Sequence, residues 1–297
     1  MITVQNLNKK FGKITALNNL NLQVKKGTIH GIVGPEASGK STLMNVLSTL
    51  MRPDSGKVTI NNIPLGKGSQ IRKIIGFVPR NPSLPLEYTA RGLIAYAASL
   101  HGIRDNNSII SVLKQTGLDT VADQGIDRFS PSMIKNVAFA MALVHNPEVL
   151  LLDEPMTGLD PVSQKRLKEF LISSNKTVLM TGRDMETVDG LCSSMTVLQN
   201  GCVLVDGDIN SLRRSVGKGA IEIKLIDVNQ TQKLLFELQK QGEKATASGE
   251  SVYVQFNADS EIPNIIRIAA NAAEIKDAKP VKLSIDDVFS KYKAECK

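Results

Sequence analysis

The sequence predicts an α/β protein with a mixed sheet at its core, followed by a small α+β domain. Three observations lead to this fold class. A glycine-rich segment (34–42) lies between an apolar run and a helical pattern, and a buried-type apolar run ends in two carboxylates, Asp153 and Glu154. The composition changes near residue 216, so we expect one domain at 1–216 and a second at 217–297.

The chain begins with two segments that alternate between apolar and polar residues. Residues 2–7 and 17–24 have this pattern, which is typical of a small antiparallel sheet with one buried face. Phe11 lies between the two segments. On this sheet alone, a core position and an exposed position for Phe11 are equally acceptable.

The glycine-rich segment matches the spacing G-x-x-x-x-G-K-[ST] of a phosphate-binding loop. A predicted strand (29–33) precedes it and a predicted helix (40–50) follows, which is the context such a loop requires. Glycines let successive N–H groups face phosphate oxygens, and the helix N-terminus adds its positive dipole end. The predicted nucleotide-binding residues of the loop are Gly34, Pro35, Glu36, Ala37, Ser38, Gly39, Lys40, Ser41 and Thr42.

Two residues of the loop have distinct predicted roles. Lys40 is expected to reach the β- and γ-phosphates of a nucleotide, and the hydroxyl of Ser41 is expected to ligate Mg²⁺. A chance glycine-rich turn is the alternative, which the order of strand, loop and helix disfavours. An exposed Phe11 would stack on the adenine ring.

The next part of the chain alternates between short strands and helical patterns. We predict strands at 57–60 and 74–78, the second ending at Pro79-Arg80. Residues from about 83 to 145 carry apolar residues at helical spacing, which predicts a helical insert carried by the sheet domain.

The segment 149–154 is the second motif that carries chemistry. Its continuous apolar run predicts a buried parallel strand, and ligands bind at the C-terminal ends of such strands. Asp153 is expected to hold Mg²⁺, and Glu154 is expected to polarise the attacking water as the catalytic carboxylate. The alternative is that both only cap the strand. A further buried strand (176–181) and a hairpin (194–198 with 201–205) follow.

The second domain is predicted as a split-βαβ-like α+β unit. Its expected strands are 220–226, 251–257 and 279–283, and its expected helices are 230–241, 262–272 and 285–292. Packing or support of a dimer is its expected role.

Composition narrows the location and the partners. No apolar run approaches the roughly 20 residues of a membrane span, and the N-terminus has no secretion-signal pattern. We therefore expect a cytosolic chain, or one held at a membrane by a partner. Three cysteines without pairing or metal-ligand spacing (Cys192, Cys202, Cys296) indicate free thiols. The net charge of +7 suits an anionic ligand, an anionic membrane or nucleic acid.

The motifs in this order resemble the ATP-binding subunit of ATP-binding-cassette (ABC) transporters. The resemblance covers residues 1 to about 215, and segment 283–289 looks like the C-terminal extension of export-type (ABC-2 class) subunits. It implies a P-loop NTPase cassette with ATP and Mg²⁺ as cofactors, on the cytoplasmic face of the membrane. The expected partners are a transmembrane permease and a second cassette, identical or different, and no nucleic acid is expected. In such dimers each ATP lies between one phosphate loop and the partner's signature loop, while Phe11 matches the adenine-stacking aromatic.

The chain departs from the family pattern at several positions. Arg80 stands where the sensor loop usually has glutamine, and Arg183 stands where the switch histidine is expected. The signature, usually Leu-Ser-Gly-Gly-Gln, reads Phe129 to Met133, so the residues expected to face the partner's ATP are Ser130, Pro131 and Ser132. The phosphate loop has Glu36 and Ala37 where the family usually has Asn and Gly.

These departures change the available chemistry. An arginine has no acceptor and cannot ligate a cation, but its guanidinium can hold a γ-phosphate. Pro131 has no N–H to offer a phosphate, although Ser130-Pro131 remains a good helix start. We therefore expect ATP binding to persist and to be tight, and hydrolysis to be slow.

Three functions remain open at this stage. The leading one is an ATPase subunit that drives a separate membrane subunit of an ABC transporter, and the resemblance of the tail favours an exporter. The alternative is a regulatory or structural subunit that binds ATP with little turnover. A relative that works on ribosomes or DNA is a third reading, which the absence of a second cassette motif or a coiled-coil arm disfavours.

Overall fold

The computed structural model describes residues 1–183, 188, 190–216, 219–248, 250–256 and 258–281. The chain divides into two compact units, Met1–Asp208 and a second unit that begins at Ile209. From composition we expected the boundary after residue 216, at the end of the helix Ile209–Val216. The observed boundary lies before this helix, between Asp208 and Ile209. The two units are described separately below.

The first unit is built on two sheets and a group of helices. In the part of the chain that the structure describes, its strands are β1 (Ile2–Phe11), β2 (Ile14–Val24), β3 (Ile29–Val33), β4 (Ser55–Ile60), β5 (Ile63–Pro64), β6 (Ile75–Val78), β7 (Val149–Leu152), β8 (Thr177–Gly182), β9 (Ser194–Gln199) and β10 (Cys202–Asp208). Its helices are α1 (Lys40–Leu47), α2 (Gly68–Ile74), α3 (Ala90–Leu100), α4 (Asn106–Thr116), α5 (Pro131–Leu143) and α6 (Pro161–Ser173).

A four-stranded antiparallel sheet with the order β2-β1-β4-β5 forms the N-terminal part of this unit. Alternate residues of β1 and β2, such as Val4, Leu20 and Leu22, are buried. They pack in one core with α1 and with Leu151 of β7. The predicted small antiparallel sheet is therefore confirmed, and it gains β4 and β5.

The central sheet has six strands in the order β10-β9-β3-β8-β7-β6. Strand β3 pairs in parallel with β8 and β9, and β7 pairs in parallel with β6 and β8. Strand β10 is antiparallel to β9, so the sheet is mixed, as predicted. Because β6, β3, β7 and β8 run in the same direction, the segments that follow them all emerge at one edge of the sheet.

The helical insert is confirmed as α3, α4 and α5. Each helix begins at a residue whose side chain accepts a backbone N–H of the first turn, namely Thr89, Asp105 and Ser130. Their apolar faces share a core with Leu150, Leu152 and other residues of the sheet. The insert is thus packed onto the same sheet that carries the motifs.

Several predicted boundaries in the first unit were wrong. Helix α1 ends at Leu47 rather than Leu50. Strand β7 ends at Leu152, so Asp153 and Glu154 follow its C-terminal end, as predicted. Glu154 lies in a turn with φ of 44°. The segment 63–74 contains β5 and α2, which we did not predict, because it has few apolar residues to reveal a period.

The second unit has the predicted split-βαβ arrangement. Its elements are α7 (Ile209–Val216), β11 (Gly219–Leu225), α8 (Thr231–Lys240), β12 (Ala245–Ser248), β13 (Ser251–Phe256), α9 (Ile262–Ala272) and β14 (Ile275–Val281). The sheet is antiparallel with the order β12-β13-β11-β14, which is the β-α-β-β-α-β pattern. We missed α7 and β12, and we began the last strand at residue 279 instead of Ile275. The predicted helix 285–292 lies outside the described residues.

No helix among the residues described has the combination of length and apolar composition needed to cross a bilayer.

Candidate functional site

The phosphate loop joins β3 to α1 and has the backbone that the motif requires. Gly39 has φ of 105°, and a side chain on it would collide with the carbonyl oxygen of Ala16. A side chain on Gly34 would collide with the carbonyl oxygen of Leu198. Ala37 also adopts a left-handed conformation, with φ of 59°. The two motif glycines are therefore dictated by the shape of the loop.

Lys40 lies under this loop and is bound to it. Its Nζ donates to the carbonyl oxygens of Gly34 and Pro35, both at 2.7 Å, and to Oγ of Ser38 at 3.2 Å. Burial lowers the pKa of Lys40, and the nearby carboxylates of Glu154 and Asp153 oppose that shift. The ammonium group is held where a phosphate oxygen would compete with the loop carbonyls.

Asp153 and Glu154 follow β7 at the same sheet edge, and both are buried. Thr181, near the end of β8, connects them. Its hydroxyl donates to Oδ1 of Asp153 at 2.6 Å and accepts the backbone N–H of Glu154 at 2.8 Å. The sequence reasoning missed Thr181. The signal in the sequence was a hydroxyl residue directly after the apolar run 178–180 of this strand.

Lys135 of α5 is a second residue that the sequence reasoning missed. Its Nζ donates to the carbonyl oxygens of Glu154 at 2.7 Å and Thr157 at 2.9 Å. Burial lowers its pKa to about 8, although Glu154 and Asp153 favour the charged form. The signature helix is thereby tied to the turn that carries Glu154.

The two arginines at the departing motif positions meet the two glutamates of the site. Arg80 Nε lies 3.0 Å from Oε2 of Glu154, and Arg183 Nε donates to the same oxygen at 3.0 Å. The Nη2 atoms of Arg80 and Arg183 lie 3.6 and 3.1 Å from Oε1 of Glu36. We call these four residues the arginine–glutamate cluster. The sequence predicted each of them at the site, but it did not predict that they pair with one another.

A cleft opens beside this cluster. Phe11 is 47% exposed there and is not a core residue. Lys9 Nζ lies 5.7 Å from the centroid of its ring. The cleft is lined by Phe11, Ile14, Thr15, Ala16, Glu36, Ala37, Ser38, Gly39, Lys40, Ser41, Thr42, Arg80 and Glu154. Asp153 and Arg183 adjoin the cleft through their contacts with Thr181 and Glu154.

The signature residues lie elsewhere, at the start of α5. Ser130 caps the helix by accepting the N–H of Met133 at 3.2 Å, and Pro131 takes the first helical position, as predicted. Ser132 is buried and donates to Oδ2 of Asp160 at 2.5 Å. Hydrogen bonds from Ser132 and Ser163 hold the pKa of Asp160 well below its usual range. The described lining of the phosphate-loop cleft does not include residues 130–132.

Comparisons with known proteins agree with this geometry. The ABC transporter family profile matches residues 17–157. The Nod factor export ATP-binding protein I of Rhizobium sp. (strain N33) is 30% identical over 97% of this chain and 95% of its own length. The daunorubicin resistance ATP-binding protein DrrA3 of Streptomyces coeruleorubidus is 31% identical over 77% of this chain and 75% of its own length. These relatives give no support to the alternative of a regulatory subunit.

Solved structures show the same likeness. An ATP-binding subunit of an ABC transporter has a TM-score of 0.68 and 25% identity, over 72% of this chain and 92% of its own. A dimeric ATP-binding cassette in a post-hydrolysis state, bound to ADP and Pi, has a TM-score of 0.65 and 28% identity, over 70% of this chain and 99% of its own. The predicted cassette fold is confirmed. The chain belongs to the ABC transporter family, as an ATP-hydrolysing subunit that powers a separate transmembrane subunit.

Proposed function

We propose that this chain binds ATP with Mg²⁺, hydrolyses it slowly, and drives a membrane permease of the export type from the cytoplasmic face. The observation that carries the proposal is the meeting of Lys40, Asp153 and Glu154 at one sheet edge, with both arginines paired to Glu154. Two relatives support the export direction, since one is a protein of Nod factor export and the other a protein of daunorubicin resistance.

The donor set fits a magnesium ion held together with a nucleotide. Ser41 presents a hydroxyl at the exposed start of α1, and Asp153 presents a buried carboxylate with one oxygen bound by Thr181. Hydroxyl and carboxylate oxygens suit Mg²⁺, which takes its remaining ligands from phosphates and water. When bound, the ion would neutralise charge on the phosphates. Arg80, at the usual sensor position, contributes charge but no ligand atom.

Slow hydrolysis follows from the surroundings of Glu154. A general base needs a free oxygen to accept a proton from water, whereas Oε2 of Glu154 is already occupied by the Nε atoms of Arg80 and Arg183, both at 3.0 Å. Glu154 is also buried, so solvent screens these ion pairs only weakly. The same arginines favour retention of ATP, because they offer donors to a γ-phosphate.

Single-turnover hydrolysis of labelled ATP tests the proposal, with Glu154→Gln as its matched variant. We expect the wild-type chain to bind ATP and convert it slowly, and the variant to hold ATP uncleaved. Binding without conversion in both proteins would contradict the hydrolytic function and favour a nucleotide-gated subunit beside a different, active cassette.

A second cassette is required to complete each ATP site in the proposed assembly. The partner is an identical chain or a different cassette. Of the predicted signature residues, the exposed Ser130 and Pro131 would face the ATP of that partner, with Pro131 unable to donate an N–H. Ser132 was expected there too, but it is buried and its hydroxyl is bound to Asp160. Light scattering of the Glu154→Gln variant with and without ATP measures this assembly, and a protein that stays monomeric with ATP would argue for a different partner cassette.

An apolar groove is the proposed binding site for the membrane subunit. It has a volume of about 360 Å³ and lies between β6 and the helical insert. Its lining includes Leu50, Phe77, Leu84, Ala138, Met141 and His145. Leu50 is 69% exposed, and Leu100 and Tyr96 are exposed on the neighbouring helix α3. A contiguous apolar surface of this kind is typical of an interaction site.

The groove is tested by the distribution of the tagged chain between membrane and soluble fractions of its own cells. We expect Leu50→Glu to reduce the membrane-bound fraction while nucleotide affinity stays unchanged. Ile172→Glu on α6 is the control, since Ile172 is similarly exposed but does not line the groove. Equal losses in both variants would argue against the groove.

The second unit is proposed to support packing or the dimer.

A further inference from the structure

Glu36 is a negative charge inside a loop built to hold phosphates. Its side chain is 69% exposed at the mouth of the cleft. One oxygen, Oε1, lies 3.1 Å from Nη2 of Arg183 and 3.6 Å from Nη2 of Arg80. A carboxylate in this loop is favourable only beside positive charge. In the absence of nucleotide, the two arginines supply that charge.

Both guanidinium groups bind in the same two-armed way. Each uses Nε to contact Oε2 of Glu154 and Nη2 to contact Oε1 of Glu36. Arginine recognises phosphate and carboxylate oxygens through the same fork of donors. A carboxylate oxygen that bridges two such forks therefore has the partners that a terminal phosphate oxygen would take.

The two glutamates differ in how readily they can leave. The Glu154 side chain is 4% exposed, whereas that of Glu36 is 69% exposed. Ion pairs at exposed positions are weak, because water and salt compete for both partners. An incoming anion would therefore displace Glu36 and leave the contacts of Glu154 in place.

We propose that Glu36 acts as an internal substitute for the γ-phosphate of ATP. This inference rests on the proposed function. Glu36 occupies the two arginines when no γ-phosphate is present and yields them when ATP binds. It recaptures them when the cleaved phosphate leaves. Glu36 is thus a specificity-determining residue that sets the ratio of ATP affinity to ADP affinity.

Electrostatic repulsion between Glu36 and the phosphates is the competing explanation for an effect of Glu36 on nucleotide affinity. A double-mutant cycle between Glu36 and the two arginines separates the two explanations. The binding constants of Mg²⁺ with adenylyl imidodiphosphate and with ADP are measured by calorimetry at fixed salt. The proteins are the wild type, Glu36→Gln, Arg80→Gln/Arg183→Gln, and the triple variant. Glu169→Gln is the matched control, since Glu169 is an exposed residue on α6 that pairs with Lys165 at 4.0 Å.

We expect Glu36→Gln to tighten binding of the ATP analogue by about three- to tenfold, which corresponds to the loss of two exposed ion pairs. Its effect on ADP should stay below about twofold, because ADP has no γ-phosphate to compete for the arginines. In the background without the arginines, the effect on the analogue should fall below about twofold. Glu169→Gln should change neither affinity. Thermal melting verifies that all variants are folded.

Two results would overturn this inference but leave the proposed function standing. One is an effect of Glu36→Gln that is equal for the analogue and ADP. The other is an effect that persists undiminished without the arginines, which would mean plain repulsion. A wild-type chain that binds neither nucleotide would instead overturn the proposed function, and the inference with it.

Discussion

The hydroxyl of Thr181 donates a 2.6 Å hydrogen bond to Oδ1 of Asp153. The same hydroxyl accepts the backbone N–H of Glu154, so a single side chain orients the two carboxylate residues. Thr181 is fully buried at the end of β8, where water cannot replace it. Both carboxylates therefore depend on a residue that belongs to a different strand.

Replacing Thr181 with valine keeps the shape but removes the hydroxyl. The buried Asp153 oxygen and the Glu154 N–H then lose their partner, which costs about 1–3 kcal/mol in the free energy of unfolding. We also expect the single-turnover rate to fall, because Thr181 no longer orients the Asp153 carboxylate and the backbone of Glu154. Urea denaturation and labelled-ATP turnover measure the two effects. Thr181→Ser retains the hydroxyl and should stay close to the wild type. Equal behaviour of the two variants would contradict this role.

The arginine pair is expected to restrain turnover while it holds nucleotide. Arg80→Gln with Arg183→His frees Glu154 from both guanidinium groups, so the single-turnover rate should rise about tenfold. ATP affinity should fall, since two cationic donors to the γ-phosphate are lost. Arg91→Gln is the control, as Arg91 pairs with Asp123 on the helical insert. Unchanged or tighter ATP binding in the double variant would count against a phosphate-holding role.

Lys135 is expected to position Glu154 without touching nucleotide. In Lys135→Met the carbonyl oxygens of Glu154 and Thr157 lose their donor, so the turn that carries Glu154 is less well fixed. We expect a lower single-turnover rate with an unchanged dissociation constant for ATP. Lys165→Met on the exposed face of α6 serves as the control. A weaker affinity with a normal rate would assign Lys135 to nucleotide binding instead.

His30 predicts a loss of stability in acid. Burial lowers its pKa from 6.5 to about 4, and Asp206 only partly opposes this. Between pH 6.5 and 4 the unfolded chain binds a proton at this imidazole that the folded chain does not, so stability falls as the pH falls. The resulting loss in the free energy of unfolding reaches about 3 kcal/mol near pH 4. In His30→Gln the dependence of the unfolding free energy on pH should be flatter over this range. Identical slopes in both proteins would refute the assignment.

The parts of the fold that depend on local pattern were predictable from the sequence. The phosphate loop, β7 and the helix starts at Ser130 and Asp160 have short-range signals, namely glycine spacing, an apolar run and capping side chains. The strand β12 has the composition Ala-Thr-Ala-Ser, which has little β-propensity, and only its pairing with β13 makes it a strand.

The contacts within the site were less predictable than its members. Thr181 and Lys135 act through partners far away in sequence, and their residue types alone do not indicate a site. Arg80 and Arg183 were identified from motif positions, and their expected partner was a phosphate. Their pairing with Glu154 and Glu36 depends on four chain segments that only the order of the parallel strands brings together.

The bond from Lys135 to the Glu154 carbonyl also has a consequence for the proposed dimer. The helix α5 begins with the residues expected to meet the nucleotide of the other cassette, and one turn later it fixes the turn behind its own glutamate. A shift of α5 caused by the nucleotide of the other cassette would therefore move the turn that carries Glu154 in the chain's own site. Hydrolysis at the two ATP sites of such a dimer would then be coupled, rather than independent.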